Sequence, residues 1–417
     1  MPKGFHYLIA AQFASALADN ALLIVMIALL DERGHPAWWA PLLKLVFTLA
    51  YVLLAPLVGP LADSGPKARL MAWMNGLKMA GLALILLGVH PLLGFAVVGV
   101  AASAYAPAKY GLITELVPAT QLIRANAWIE VSVVLAALAG TVVGGGLVSD
   151  AWRSGEVAVP GAAALVGLGG AHTGLAASLL LLLGAYLLAA ALNLGVPASG
   201  VHYPGSSLQL GADFWRAQRR LWSDPDGRLS LAVTTLFWGV GATLQFAVLR
   251  WAIDVLGLSL SQGAYMQAVV AVGVVAGASL AGRVVAIGQA RRVLPLGLVL
   301  GAGIALAALS PNLPVALAML ALVGAIGGML VVPMNALLQH RGHVLLTAGR
   351  SIAVQGFNEN LSVLVMLSGY AALLAYQVPI VSLMLGFGAL IGSLVGLLWL
   401  RSCRELRSGR GEAQAVP

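Results

Sequence analysis

The sequence predicts an all-α polytopic membrane protein with twelve transmembrane helices in two pseudo-symmetric six-helix halves. Three observations predict it. Of 417 residues, 60% are hydrophobic and only 9% are charged, where a water-soluble domain carries roughly 25% charged residues. Apolar runs long enough to span a bilayer, about 20 residues each, recur twelve times along the chain. A polar pattern also repeats: Pro107, a loop, then Asn126 and Glu130; Pro333, a loop, then Gln355 and Glu359, both pairs spaced i, i+4. The unbroken apolar stretches at 21–30 and 175–194 exclude an outer-membrane barrel, whose strands alternate apolar and polar over about ten residues.

The first run, 5–30, follows Lys3 and contains Ala14-Ser15-Ala16, which imitates a signal-peptide cleavage site. The apolar run continues to Leu30, so it reads as an uncleaved first helix. Gln12, Ser15 and Asp19 share one face at i, i+3, i+7, with Asn20 adjacent. Asp19 lies about 21 Å along the helix from Phe5 at 1.5 Å per residue, in the middle third of a bilayer. An ionised group there costs roughly 2.5–3.5 kcal/mol on insertion scales. Asp19 is therefore expected to line a polar cavity, or alternatively to pair with Lys78 or Lys109. The second run, 42–62, contains Lys44 and leads into a loop with Asp63, Lys67 and Arg69. The third, 70–88, carries Asn75 and Lys78 at i, i+3. The fourth, 92–113, has Lys109 at its end. The fifth, 125–149, carries Asn126 and Glu130 near its start, and the sixth is 172–195.

A polar segment at 196–228, with Pro197, Pro204 and Pro225, separates the bundle 1–195 from a second bundle, 229–400. Within it Phe214, Trp215, Leu221 and Trp222 interleave with Arg216, Arg219 and Arg220, which suits either an amphipathic helix on an anionic leaflet or a solvated linker helix. The seventh run, 229–251, places Thr235, Trp238, Ala242 and Gln245 on one face, with Phe246 beside it and Arg250 near its end. That mixture of aromatic, apolar and polar groups suits an amphiphilic substrate. The remaining runs are 263–287, 293–310, 313–338, 350–374, with Glu359 near its start, and 379–400, before a basic tail at 401–417.

With a cytoplasmic amino terminus, seventeen basic residues fall in inside segments and three, Arg33, Arg153 and Arg250, fall outside. Basic residues collect in cytoplasmic loops, so both termini are expected in the cytoplasm. The same placement accounts for the net charge of +8 without nucleic acid. A lone cysteine, Cys403, permits no intrachain disulfide. The chain has no GxxxxGK[ST] phosphate loop, no metal-ligand cluster and no HxxxxD acyltransferase motif, so neither a cofactor nor catalysis is expected. Lys109, Glu130 and Glu359, near the inner helix ends, read as an inner gate or as a static network between helices.

Gly59, Leu61, Ala62, Asp63, Lys67 and Arg69 follow the loop signature of the major facilitator superfamily, in which acidic and basic groups brace the inner helix ends; Ser64 replaces the usual base and Gly65 is displaced by one position. The segments AQFASALADNALL, GPLADS, NGLK, AYAPAKYGLITEL, LFWGVGATLQF, VVPMNALLQHRG and AVQGFNEN together closely resemble the bacterial lysophospholipid transporter family over residues 11–360. That resemblance implies a bacterial inner-membrane flippase carrying lysophosphatidylethanolamine and lysophosphatidylglycerol from the outer to the cytoplasmic leaflet by alternating access. Its implied functional partner is a separate acyltransferase with acyl-carrier-protein synthetase activity, which restores the second acyl chain. Carried over residue by residue, it points to Asp19, Asn20, Lys109, Glu130, Asn358 and Glu359. Gln12, Trp238, Gln245 and Arg250 complete the expected substrate-binding set, and Asp63 and Lys67 the expected gate. The chain departs from the enterobacterial pattern at Gln245, where those members have arginine; Arg250 lies five residues on, about 140° around the helix. The rival reading is a proton-coupled exporter of drugs or small metabolites, with Asp19 as the protonated group.

Overall fold

A computed structural model describes residues 3–35, 39–149, 152, 173–201, 210–258, 260–310 and 312–414. Arg153 and Pro204, used in the charge and linker readings, lie outside them. The described residues form α-helices and two short 3-10 segments, without a strand. The helices of the first half are α1 (Lys3–Glu32), α2 (Trp39–Leu53), α3 (Ala55–Asp63), α4 (Lys67–Leu86), α5 (Pro91–Leu116), α6 (Leu122–Leu147) and α7 (Thr173–Leu194). The linker helix α8 (Leu210–Ser223) follows. Then come α9 (Pro225–Asp254), α10 (Leu260–Val284), α11 (Leu296–Ala308), α12 (Leu313–Leu345), α13 (Ala348–Ala375) and α14 (Ile380–Gln414). Among the described residues, nine helices are long and apolar enough to cross a bilayer, or up to eleven if each of two bent pairs is one span. The protein is a multi-pass membrane protein.

Local chemistry explains where the helices begin and break. The second expected span bends by 63° between α2 and α3. Leu54 starts α3 with Pro56 in its first turn, and a proline has no N–H to donate to the preceding turn. Several helices also outrun the apolar pattern: α5 reaches Leu116, α12 reaches Leu345 and α14 reaches Gln414. Backbone hydrogen bonding continues into polar sequence there, because a helix end in water needs no apolar side chains. Lys109 consequently lies two turns inside α5 rather than at its end, and Glu115 becomes part of that helix.

The chain divides into two compact units, 1–118 with 132–219 and 342–357, and 119–131 with 220–341 and 358–417. Each takes a short segment from the other half of the sequence: the start of α6 belongs to the second unit, and the end of α12 with the start of α13 belongs to the first. In the first unit, α4 packs on α5 and α7, and α1 on α7, around Leu22, Met26, Leu82, Phe95, Leu179 and Tyr186. In the second, α9 and α11 pack on α14, and the buried Trp251 indole donates to the Ala308 carbonyl at 3.1 Å.

Small residues set how closely the second unit's helices approach. A Cβ on Gly277 of α10 would sit 1.9 Å from the Ala325 carbonyl oxygen of α12, and one on Gly324 would sit 2.2 Å from the Val270 oxygen. Gly273, Gly277, Gly324 and Gly328 thus form two interlocked GxxxG faces, the usual means of bringing backbones together in lipid. The linker helix α8 spends its apolar face on protein: Phe214, Ala217 and Leu221 are buried, and the Phe214 and Trp215 rings lie 5.3 and 6.0 Å from that of Phe357. This differs from both expectations, a helix lying on a leaflet and a solvated linker helix: much of the apolar face is covered by protein, while Trp215 stays exposed.

Candidate functional site

The deepest polar site in the first unit is built on α1. Asp19 accepts from the Lys78 ammonium at 2.8 and 2.7 Å through its two oxygens, and from the Tyr186 hydroxyl at 2.8 Å. Lys78 also donates to Ser15 at 2.9 Å, and Ser15 donates to Asn75 at 2.8 Å. The ammonium lies 5.2 Å and 5.3 Å from the ring centroids of Tyr105 and Tyr186, within cation–π range. Helical spacing produces the cluster: Ser15 and Asp19 are one turn apart on α1, and Asn75 and Lys78 one turn apart on α4. The Lys78 side chain is 1% exposed, whereas that of Asp19 is 21% exposed. Asp19 therefore keeps an open side and an acceptor position beyond its internal bonds. Asn20 donates its amide to the Ala16 carbonyl at 2.8 Å, which leaves its side-chain oxygen unengaged among the described residues.

Gln12, expected on the same opening, is instead drawn into contacts between helices. It donates to Ser132 at 3.0 Å and accepts from Lys109 at 3.3 Å. Only 2% of Gln12 is exposed, so in this structure it connects α1 to α5 and α6. The Lys109 ammonium also lies 4.3 Å from the Tyr110 ring centroid.

A second site joins the end of α3 to the start of α13, and both segments belong to the first unit. Asp63 accepts from the backbone N–H of Gly349 at 2.9 Å and of Arg350 at 3.3 Å, and from the Thr347 hydroxyl. Its carboxylate occupies the amino terminus of α13, where unpaired N–H groups and the helix dipole favour an anion. Lys67 lies 3.4 Å from Asp63 and 2.7 Å from Glu115, whose side chain is fully buried. A Cβ on Gly349 would come 2.6 Å from the Gly59 carbonyl oxygen and 2.7 Å from the Asp63 carboxylate. Glycine at 349 is what lets the acid reach the helix end.

In the second unit Asn126 and Gln339 exchange two amide hydrogen bonds, each 2.9 Å. Asp224 caps α9 by accepting from the Gly227 N–H at 2.8 Å and forms an ion pair with Arg341. The hydrogen bond from that guanidinium, opposed by partial burial, holds the Asp224 carboxyl below its ordinary value. Glu130 and Asn358 are buried; they and Glu359 belong to this unit, and Lys109 to the other. On α9, Trp238 packs edge-to-face against Phe237. Gln245 donates to Gln267 at 3.3 Å, and Arg250 is paired with Asp254 at 2.5 Å. Of the expected gate, Asp63 and Lys67 meet directly; of the expected binding set, Asp19 and Asn20 are adjacent.

Sequence reasoning missed Glu115, Thr347, Gly349, Tyr105 and Tyr186. Glu115 sat just past the expected end of its span, and the others are ordinary residues until the fold places them against a charge. Among the described residues no group of three or more His, Cys, Asp or Glu is arranged to hold a metal ion.

Comparisons with known proteins agree on the superfamily. The model of the Major Facilitator Superfamily matches residues 8–365. The lysophospholipid transporter LplT of Salmonella arizonae is 41% identical over 407 residues, covering 97% of this chain and 96% of the relative. That of Escherichia coli strain SE11 is 39% identical over 402 residues, covering 95% and 96%. Among solved structures, the E. coli fucose:proton symporter FucP superposes with a TM-score of 0.73 at 15% identity, over 95% of this chain and 97% of that one. A bacterial homologue of the iron transporter ferroportin, in its outward-facing state, gives 0.70 at 16%, over 96% and 99%. At those identities the structural likeness concerns the fold alone.

Proposed function

The chain belongs to the major facilitator superfamily and, within it, to the lysophospholipid transporter family, and from that membership we propose that it moves lysophospholipids across the bacterial inner membrane. It is a transporter rather than an enzyme. The observation that carries the reading is identity near 40% sustained over almost the whole of both chains. The substrates are lysophosphatidylethanolamine and lysophosphatidylglycerol, taken from the outer leaflet and released to the inner one by alternating access. A separate acyltransferase with acyl-carrier-protein synthetase activity then re-acylates them. The basic-residue asymmetry supports cytoplasmic termini.

In this reading Asp19 and Asn20 meet the headgroup amine or hydroxyls. Asp19 is suited to that contact because Lys78 already balances its charge, so the pair offers acceptor positions to an amine or hydroxyl without a net charge that attracts a free cation. Gln12 holds Lys109, and on α9 the residues proposed to contact substrate are Trp238, Gln245 and Arg250. Asp63 and Lys67 work as a latch at the inner end, and the capped α13 terminus supports that role; Lys109, Glu130, Asn358 and Glu359 are the other residues proposed for gating.

The test is purified protein in liposomes, with movement of both lysolipids followed with and without proton and sodium gradients. Lysolipid movement that drug cations do not compete for is the expected result. Transport of drug cations driven by a proton gradient, with no lysolipid movement, would establish the exporter reading instead.

A further inference from the structure

The groups that hold the Asp19 carboxylate have no hydrogen-bond donor left over. The Lys78 ammonium has three N–H donors, and they go to the two Asp19 oxygens at 2.8 and 2.7 Å and to Ser15 at 2.9 Å. The Ser15 hydroxyl donates onward to Asn75 at 2.8 Å, and the Tyr186 hydroxyl donates to Asp19 at 2.8 Å. The acceptor side is unequal. Oδ1 of Asp19 takes both Lys78 and Tyr186, whereas Oδ2 takes Lys78 alone. An ionised carboxylate offers about four lone-pair positions, so among the described residues one is left, and it is on Oδ2. Asn20, next along α1, donates to its own helix and stands outside this cluster.

Tyr186 is what makes the vacancy single. It comes from α7 and is fully buried, and its ring centroid lies 5.3 Å from the Lys78 ammonium, much as that of Tyr105 lies 5.2 Å away. The two rings are alike toward the lysine, but only the Tyr186 hydroxyl bonds to Asp19. The torsion that turns an aspartate carboxylate is broad, and a lysine stem is flexible. Held by Lys78 alone, the carboxylate would rock and present vacancies on both oxygens. A second donor, on a rigid ring from a third helix, fixes its plane and closes Oδ1.

We propose that Tyr186 is a positioning residue that sets headgroup selectivity: by filling Oδ1 it leaves Oδ2 as the one acceptor the cluster offers, so a headgroup engages it with a single N–H or O–H donor. The inference rests on the reading of Asp19 as the headgroup contact. An ethanolamine ammonium and a glycerol hydroxyl both carry such a donor, whereas a trimethylammonium carries none. The same count separates Lys78 from the phosphate. Its N–H groups are all engaged within the protein, so in this arrangement the cluster does not hold the phosphodiester.

The experiment measures flipping kinetics of the full chain in liposomes, using lysophosphatidylglycerol and lysophosphatidylethanolamine whose nitrogen carries no, one, two or three methyl groups. For the parent, the half-saturating concentration is expected to stay within about twofold while one N–H remains and to rise about tenfold or more at the trimethylated headgroup, the loss of one hydrogen bond to a charged group. Tyr186→Phe keeps the ring and removes only the hydroxyl. It is expected to raise half-saturation for the ethanolamine and glycerol headgroups about fivefold or more, with maximal rate near parental, and to leave the trimethylated headgroup unchanged, so that selectivity falls. An even rise with each methyl group in the parent would overturn the single vacancy, and this arm uses the unaltered chain, so it holds whether or not the variant folds. Equal weakening of all headgroups in Tyr186→Phe, or a lowered thermal midpoint with parental selectivity, would reduce Tyr186 to a tie between helices and overturn the assignment. Parental flipping by Asp19→Asn with Lys78→Met would overturn the Asp19 reading and Tyr186 with it. An inactive double variant beside parental selectivity in Tyr186→Phe would overturn Tyr186 alone.

Discussion

Lys78 and Asp19, fifty-nine positions apart in the chain, form a 2.7 Å ion pair in which the lysine is almost fully enclosed and the carboxylate opens outward on one side. The asymmetry assigns the two partners different work. Lys78 is surrounded by Ser15, Tyr105 and Tyr186 and fixes the carboxylate, while Asp19 presents what remains of its acceptor capacity.

Removing the carboxylate leaves Lys78 buried without its counter-ion, and breaking a buried pair from one side costs about 3–5 kcal/mol. Asp19→Asn is therefore expected to lower the thermal midpoint in detergent and to abolish lysolipid flipping. Asp19→Asn with Lys78→Met is expected to recover the thermal midpoint without recovering flipping. Recovery of both by the double variant would mean that Asp19 acts only through helix packing.

The α13 cap makes a different prediction. Gly349→Ala places a methyl group against the Asp63 carboxylate and the Gly59 carbonyl, so it is expected to displace the same contact that Asp63→Ala deletes. In a double-mutant cycle read by thermal unfolding, the two changes should be less than additive, with a coupling of about 0.5–3 kcal/mol. Strict additivity would show that the alanine at 349 acts through some other contact.

His90 introduces a pH dependence at the other end of the helices. Its Nδ1 accepts from the Leu92 N–H at 3.2 Å and caps α5, and its ring lies 5.0 Å from that of His35. Burial first, then the charges of His35 and Arg33, hold its imidazole below the usual 6.5. The folded state thus binds fewer protons than the unfolded state. The cap contributes fully above the unfolded value near 6.5 and is lost as pH falls through the lower folded value. The thermal midpoint is expected to decline on acidification below about pH 6.5, and His90→Asn, a cap that does not titrate, is expected to flatten that decline. An unchanged slope in His90→Asn would assign the dependence elsewhere.

Helix packing in the second unit is testable by one methyl group. Gly277→Ala is expected to be strongly destabilising, because its Cβ would overlap the Ala325 carbonyl and only a backbone shift relieves that clash; overpacking typically costs about 1–3 kcal/mol. Gly145→Ala, with nothing within 4 Å of the new Cβ, is expected to be neutral or slightly stabilising. Thermal midpoints in detergent separate them, and equal midpoints would contradict the interlocked packing.

Much of the architecture was legible in residue order. The membrane class, the helical spans, the importance of Asp19 and the Asp63–Lys67 loop all follow from where a chain with so few charges places them. Lys78 was recognisable as a candidate partner for Asp19, because few cations lay within the spans. Glu115 was not legible: the apolar pattern stops before the helix does, and its partner Lys67 lies in another helix. Gln12 shared the predicted face of Asp19, yet it bonds to Lys109 and Ser132, since a shared face does not say which neighbour reaches it first.

The sequence by itself determined that this chain crosses a membrane many times and which family it resembles, because hydropathy and motif order are properties of residues along a line. Only the tertiary structure decided that Lys78 is enclosed while Asp19 stays open on one side, and that Asp63 reaches the amino terminus of α13. Those outcomes depend on distances between helices remote in sequence, and electrostatic energy depends on distance and on the surrounding medium, neither of which residue order records.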